Sequence, residues 1–95
     1  MDPIEAFEAG RYIQAAYYSC LENKNVYVIL EYLKGLLETL DEEEFGDIRK
    51  HISDWIQFLN KYYKLYEPIK DPEDRNALVE DIKDWINIIK ERLLR

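Results

Sequence analysis

Ninety-five residues fit one compact domain, and the lone cysteine, Cys20, rules out an internal disulfide. No apolar run reaches membrane-spanning length, and the N-terminus lacks the basic-then-apolar pattern of a secretory leader, so a cytoplasmic protein with no membrane partner is expected. A formal charge of -7 disfavours direct nucleic-acid binding, because an acidic domain repels phosphate backbones.

The first helix is expected from Asp2-Pro3 to about Glu22. Asp can cap free N–H groups, and Pro at the first helical position sacrifices no needed bond. Ala6, Ala9, Ile13, Ala16 and Cys20 form a seam of small side chains that admits a close neighbour. Cys20 therefore reads as core. Gly10 weakens the helix interior, and a break there is the alternative.

Asn23-Lys24-Asn25 reads as a turn. The second helix spans about Val26 to Leu40, with Val26, Ile29, Leu33, Leu36 and Leu40 on one seam. Tyr27, Leu30, Tyr32 and Leu37 widen it. Such a helix is either central in a bundle or exposes an adhesive face.

Asp41 to Glu44 open the third helix, their carboxylates facing the positive end of its dipole. Phe45, Ile48, Ile52, Trp55, Leu59, Tyr62 and Tyr66 hold a heptad, which predicts a helix as far as Tyr66. Pro68 ends it. Asp71-Pro72 repeats the opening signal of Asp2-Pro3. The fourth helix then places Leu78, Ile82, Trp85, Ile89 and Leu93 inward, with Lys90, Arg92 and Arg95 at its negative end. Ile52-Ser53-Asp54-Trp55-Ile56 and Ile82-Lys83-Asp84-Trp85-Ile86 echo each other thirty residues apart, read as chance in a limited alphabet or one packing need met twice, with an internal duplication as the alternative. The fold class is therefore all-α, an antiparallel four-helix bundle in one domain covering residues 1–95.

No catalytic group stands out. His51 is the only histidine and falls at the edge of the third seam, while Ser19 and Ser53 sit in plain helical contexts. A single histidine cannot complete the paired Glu-x-x-His pattern of a bundle di-metal site. The acidic run at Glu42, Glu43 and Glu44 lacks the alternating ligands of a calcium loop. No cofactor, metal or enzymatic activity is expected.

Aromatic residues are the strongest functional signal, with eight tyrosines and two tryptophans. Neighbours on a helix point about 100° apart, so one member of each pair, Tyr17-Tyr18 and Tyr62-Tyr63, should face outward. Tyrosine is enriched at interface hot spots. Charge is also uneven: residues 1–47 carry 11 acidic and 3 basic side chains, residues 48–95 carry 9 and 10. The acidic half would suit a basic partner surface. These signals point to a non-catalytic protein-binding module contacting its partner through Tyr27, Tyr62, Tyr63, Tyr66, Glu42, Glu43 and Glu44. A homo-oligomer joined through the apolar surplus of the second helix is the alternative.

The segment Gly10-Arg11-Tyr12-Ile13-Gln14-Ala15-Ala16-Tyr17-Tyr18 resembles the first long helix of HEPN-type bundles. HEPN ribonucleases carry an Arg shortly before a His. Here Phe45, Gly46 and Asp47 occupy the positions where that Arg would precede His51, and Arg49 lies two residues away. The resemblance thus supports a helical bundle and does not carry ribonuclease activity over; a HEPN-like RNA-acting protein centred on His51 and Arg49 is the further alternative. The richness in Glu, Lys, Ile and Tyr is similar to that of hyperthermophile proteins, archaeal ones included. Size, acidity and aromatic content resemble the small accessory subunits of archaeal replication machinery, among them those that bind B-family DNA polymerases.

Overall fold

A computed structural model describes residues 2–93 and contains four α-helices: α1 (Pro3–Leu21), α2 (Val26–Thr39), α3 (Glu42–Tyr62) and α4 (Pro72–Leu93). The bundle measures 38 × 21 × 20 Å. α1 packs against α2 and α4, and α2 packs against α3. Polar contacts from Asp47 to Arg92, Trp55 to Asp81 and Tyr63 to Asp74 run in opposite senses along α3 and α4, so these helices are antiparallel. Long side chains bridge them at each step.

Each helix start follows its residue chemistry. The Asp2 carboxylate accepts the Glu5 N–H at 2.9 Å, and the Asp41 carboxylate accepts the Glu44 N–H at 3.0 Å. Asp71 accepts the Glu73 N–H at 2.9 Å. α1 runs unbroken through Gly10, whose neighbours along the helix keep their ladder. Asn23 reverses the chain in the left-handed region at φ 55, a conformation Asn tolerates better than most residues.

The core is continuous. Ala9, Ile13, Ala16 and Cys20 of α1 meet Val26, Ile29, Leu33, Leu36 and Leu40 from the α2 segment. Phe45, Ile48, Ile52 and Leu59 come from α3, and Leu78, Ile82, Trp85 and Ile89 from α4. Burial pushes the Cys20 thiol up to about 12, which keeps it protonated and inert. Leu30 is buried, and Tyr32 and Leu37 are half-buried against the core. The apolar surplus of α2 is therefore absorbed inside the bundle, leaving Tyr27 as its exposed large hydrophobic residue. Leu93 is exposed rather than core, and Arg95 lies outside the described residues.

α3 departs from expectation at both ends. Phe45 leaves helical geometry (φ -123, ψ 25), which separates the acidic first turn from the rest. The helix also stops at Tyr62, four residues before Tyr66. A competing demand at α2 accounts for the early stop. Asn25 makes no side-chain capping bond there. Instead, the Val26 N–H donates to the Glu67 carbonyl at 2.9 Å and the Tyr27 N–H donates to the Leu65 carbonyl at 2.8 Å. The 63–71 loop, anchored by buried Ile69, thus supplies acceptors for two first-turn donors of α2. Tyr62 and Tyr66 are exposed, so the heptad does not continue beyond Leu59.

Candidate functional site

Helix direction puts the α1 C-terminus, α2 N-terminus, α3 C-terminus and α4 N-terminus at one end of the bundle. At that end Tyr62 closes α3, and the loop after it presents exposed Leu65 and Tyr66, the latter against Tyr27 of α2. Tyr62 is 63% exposed and Tyr66 78% exposed. The Tyr27 and Tyr66 rings stack with centroids 6.2 Å apart and planes 27° from parallel. This pairing follows from the cap: the Tyr27 N–H is tied to Leu65, so the side chain of the next residue lands against Tyr27. Phe58 packs on Tyr62 at 5.1 Å, and Trp55 on Phe58 at 5.5 Å, so a second aromatic run extends from this end along α3. The Lys61 ammonium lies 5.3 Å from the Tyr62 ring centroid.

Tyr63 corrects the expected contact set. Its ring is half-buried against Phe58 and the core, and its hydroxyl donates to the Asp74 carboxylate. Burial and the Asp74 carboxylate push its phenol up to about 12. Tyr63 therefore fastens α3 to α4. Of the adjacent pairs, Tyr18 and Tyr62 face solvent while Tyr17 and Tyr63 face the core; helical geometry accounts for the first pair, whereas Tyr63 turns inward in extended geometry just past the end of α3.

Glu42, Glu43 and Glu44 are exposed, but they lie at the opposite end of the bundle. The aromatic patch and the acidic turn consequently do not form one surface. The intervening α2 has 14 residues, about 21 Å of helix. The acidic end is braced by Arg92, which donates to Asp47 at 2.7 and 3.0 Å and to the Glu44 carbonyl at 2.7 Å. The Arg92 guanidinium also lies 5.4 Å from the centroid of the buried Phe45 ring. Hydrogen bonding to Arg92 holds the Asp47 carboxyl down at about 2. Around the aromatic end the charges are mixed: Lys24 pairs with Glu22 and Lys70 with Glu67.

The two residues nearest a nuclease pattern also have plain surroundings. His51 is exposed. Arg49 turns toward the end of α2 and donates from Nη1 to the Leu37 carbonyl and, at 2.6 Å, to the Leu40 carbonyl. Among the described residues no group of three His, Cys, Asp or Glu side chains could hold a metal ion. No described helix is long and apolar enough to cross a membrane.

One surface escaped sequence reasoning. Ile4, Phe7, Tyr18 and Leu21 of α1 are 71%, 67%, 56% and 49% exposed. Their spacing, out of phase with the Ala9-Ile13-Ala16-Cys20 seam, was the available signal. No protein-family model matches the chain, and no curated protein or solved structure matches it.

Proposed function

We propose that this protein is a non-catalytic binding module, an accessory subunit that docks on another protein through the end carrying Tyr27, Tyr62, Leu65 and Tyr66. The supporting observation is the exposed Tyr27–Tyr66 stack, held on a backbone already hydrogen-bonded to α2. Docking onto a pre-ordered aromatic surface costs little side-chain entropy, which is the condition under which aromatic anchors dominate affinity. The engagement of Arg49 with the α2 carbonyls supports reading the His51 region as scaffold rather than as an RNA-acting centre.

Affinity capture from native lysate with the wild-type protein and a Tyr62→Ala/Tyr66→Ala variant tests this. A protein retained by the first and lost by the second is the expected result, with the variant's helical signal unchanged. Equal retention of every protein by both would refute the docking site. The finer proposal is that the larger complex is an archaeal B-family DNA polymerase holoenzyme. It rests on size, acidity and composition, and co-elution with a purified archaeal B-family polymerase is its direct test.

A further inference from the structure

The solvent faces of the other helices are overwhelmingly polar. α4 exposes Glu73, Asn76, Glu80, Lys83, Asn87 and Lys90, and α3 exposes Lys50, His51, Asp54, Gln57 and Asn60 along its length. α1 is different. Its outer positions are Ile4, Phe7, Arg11, Gln14, Tyr18 and Leu21, all exposed, with four of the six large and apolar. They follow the alternating three- and four-residue spacing of a coiled-coil seam. The helix thus carries two seams: a small-residue seam facing α2 and α4, and this outer one facing solvent.

We propose that the outer seam of α1 is a homodimer interface, in which the α1 helices of two copies pack antiparallel about a two-fold axis. The assignment of a second copy comes from the order of side chains along the seam. A two-fold axis midway between Arg11 and Gln14 places Ile4 on Leu21, Phe7 on Tyr18 and Arg11 on Gln14 of the second copy. Every layer then recurs with its members exchanged, as an isologous contact requires. Apolar layers meet apolar layers. In the central layer the Gln14 side-chain carbonyl can accept from the Arg11 guanidinium, so neither polar group is left without a partner. A parallel pairing would instead set Arg11 against Arg11, two like charges in one desolvated layer.

α1 has 19 residues, about 28 Å of helix. With six seam residues a side, one helix pair of that length makes a small interface, no larger than the low end of the specific range, about 1,200 Å². The dimer should therefore dissociate on dilution. The seam shares no residue with Tyr27, Tyr62, Leu65 or Tyr66, so the two surfaces can be altered separately.

Sedimentation equilibrium across a concentration series from micromolar to near-millimolar tests the proposal. Wild-type protein should approach twice the monomer mass at the upper end. Phe7→Glu/Tyr18→Glu should remain monomeric while keeping its helical signal, since both side chains are exposed. Tyr62→Ala/Tyr66→Ala should dimerise like the wild type. The central layer tests orientation: Gln14→Glu should tighten the dimer by about tenfold by pairing with Arg11, and Gln14→Lys should loosen it by a similar factor. A wild-type monomer at every concentration would overturn the proposal and assign the seam to a different partner. A dimer indifferent to the Phe7→Glu/Tyr18→Glu change would overturn it equally, as would a dimer tightened by Gln14→Lys.

Discussion

Arg49 shows how a side chain that reads as chemistry can be structural. Its guanidinium reaches the last turn of α2, where four carbonyls lack intrahelical donors. Hydrogen bonds from a charged donor are worth about 1.5–3 kcal/mol. Arg49→Ala should therefore lower unfolding free energy by about 2 kcal/mol in urea titrations, and Arg49→Lys should recover only part of it. A neutral Arg49→Ala would mean water caps these carbonyls equally well. The glycines behave oppositely to one another. A Cβ at Gly35 would fall 2.4 Å from Tyr12 Cε1, so the bare backbone of α2 is what lets the Tyr12 ring lie across it. A Cβ at Gly10 meets nothing within 4 Å. Gly10→Ala should stabilise by about 0.5–1 kcal/mol, and Gly35→Ala should destabilise by about 1–3 kcal/mol through overpacking. Thermal unfolding below the self-association range distinguishes the two signs. Propensity alone predicts a gain from both.

The heptad of α3 was legible from Phe45 to Leu59 because one seam packs into one core. Tyr62 and Tyr66 continue its spacing, yet they are exposed, because spacing does not report what the neighbouring helix needs. α2 needs acceptors for its first N–H groups, and a chain that unwinds after Tyr62 supplies two. That competition acts between segments some forty positions apart, beyond the reach of a local pattern. It makes a direct prediction. Val26 and Tyr27 amides, which lie in a first turn and would ordinarily exchange freely, should be protected to the level of a helix interior. Ile69→Ala removes the loop's buried anchor, so it should erase that protection and cost about 2–4 kcal/mol. Native-state hydrogen exchange by NMR measures both.

The opposite end is held by Asp47 and Arg92, and its pH dependence has a definite sign. The folded Asp47 carboxyl is held below its ordinary value, at about 2. Its contribution is fully present above the unfolded value near 4 and is lost as pH falls from about 4 to 2. The pair is exposed on the Asp47 side, so solvent screening keeps the effect within about 1 kcal/mol. Asp47→Asn should flatten that part of the acid stability curve and leave neutral-pH stability lower by the same small amount.

At the scale of the whole molecule, the four-helix architecture and most of the core were readable from seams and caps. The tyrosines of the proposed binding surface stand out in the sequence, but their layout does not. Tyr66 and Tyr27 come together because the loop docks on α2, and Tyr62 lies at the same end on the last turn of α3. Glu42, Glu43 and Glu44 are near them in character and distant in space, since α2 separates the two ends by about 21 Å. Charges farther apart than about 10 Å are largely screened at 0.1 M salt. The acidic turn thus contributes to solubility and to the overall field, and a partner seated on the aromatic end would scarcely feel it. Stopped-flow dissociation of the captured complex at 0.1 M salt tests this most directly. Tyr66→Ala should accelerate dissociation by at least tenfold, corresponding to about 1.4–2 kcal/mol at a hot spot, whereas Glu42→Gln/Glu43→Gln/Glu44→Gln should leave the dissociation rate unchanged. Dissociation unchanged by Tyr66→Ala but altered by the triple Glu change would move the interface to the opposite end of the bundle and contradict the account.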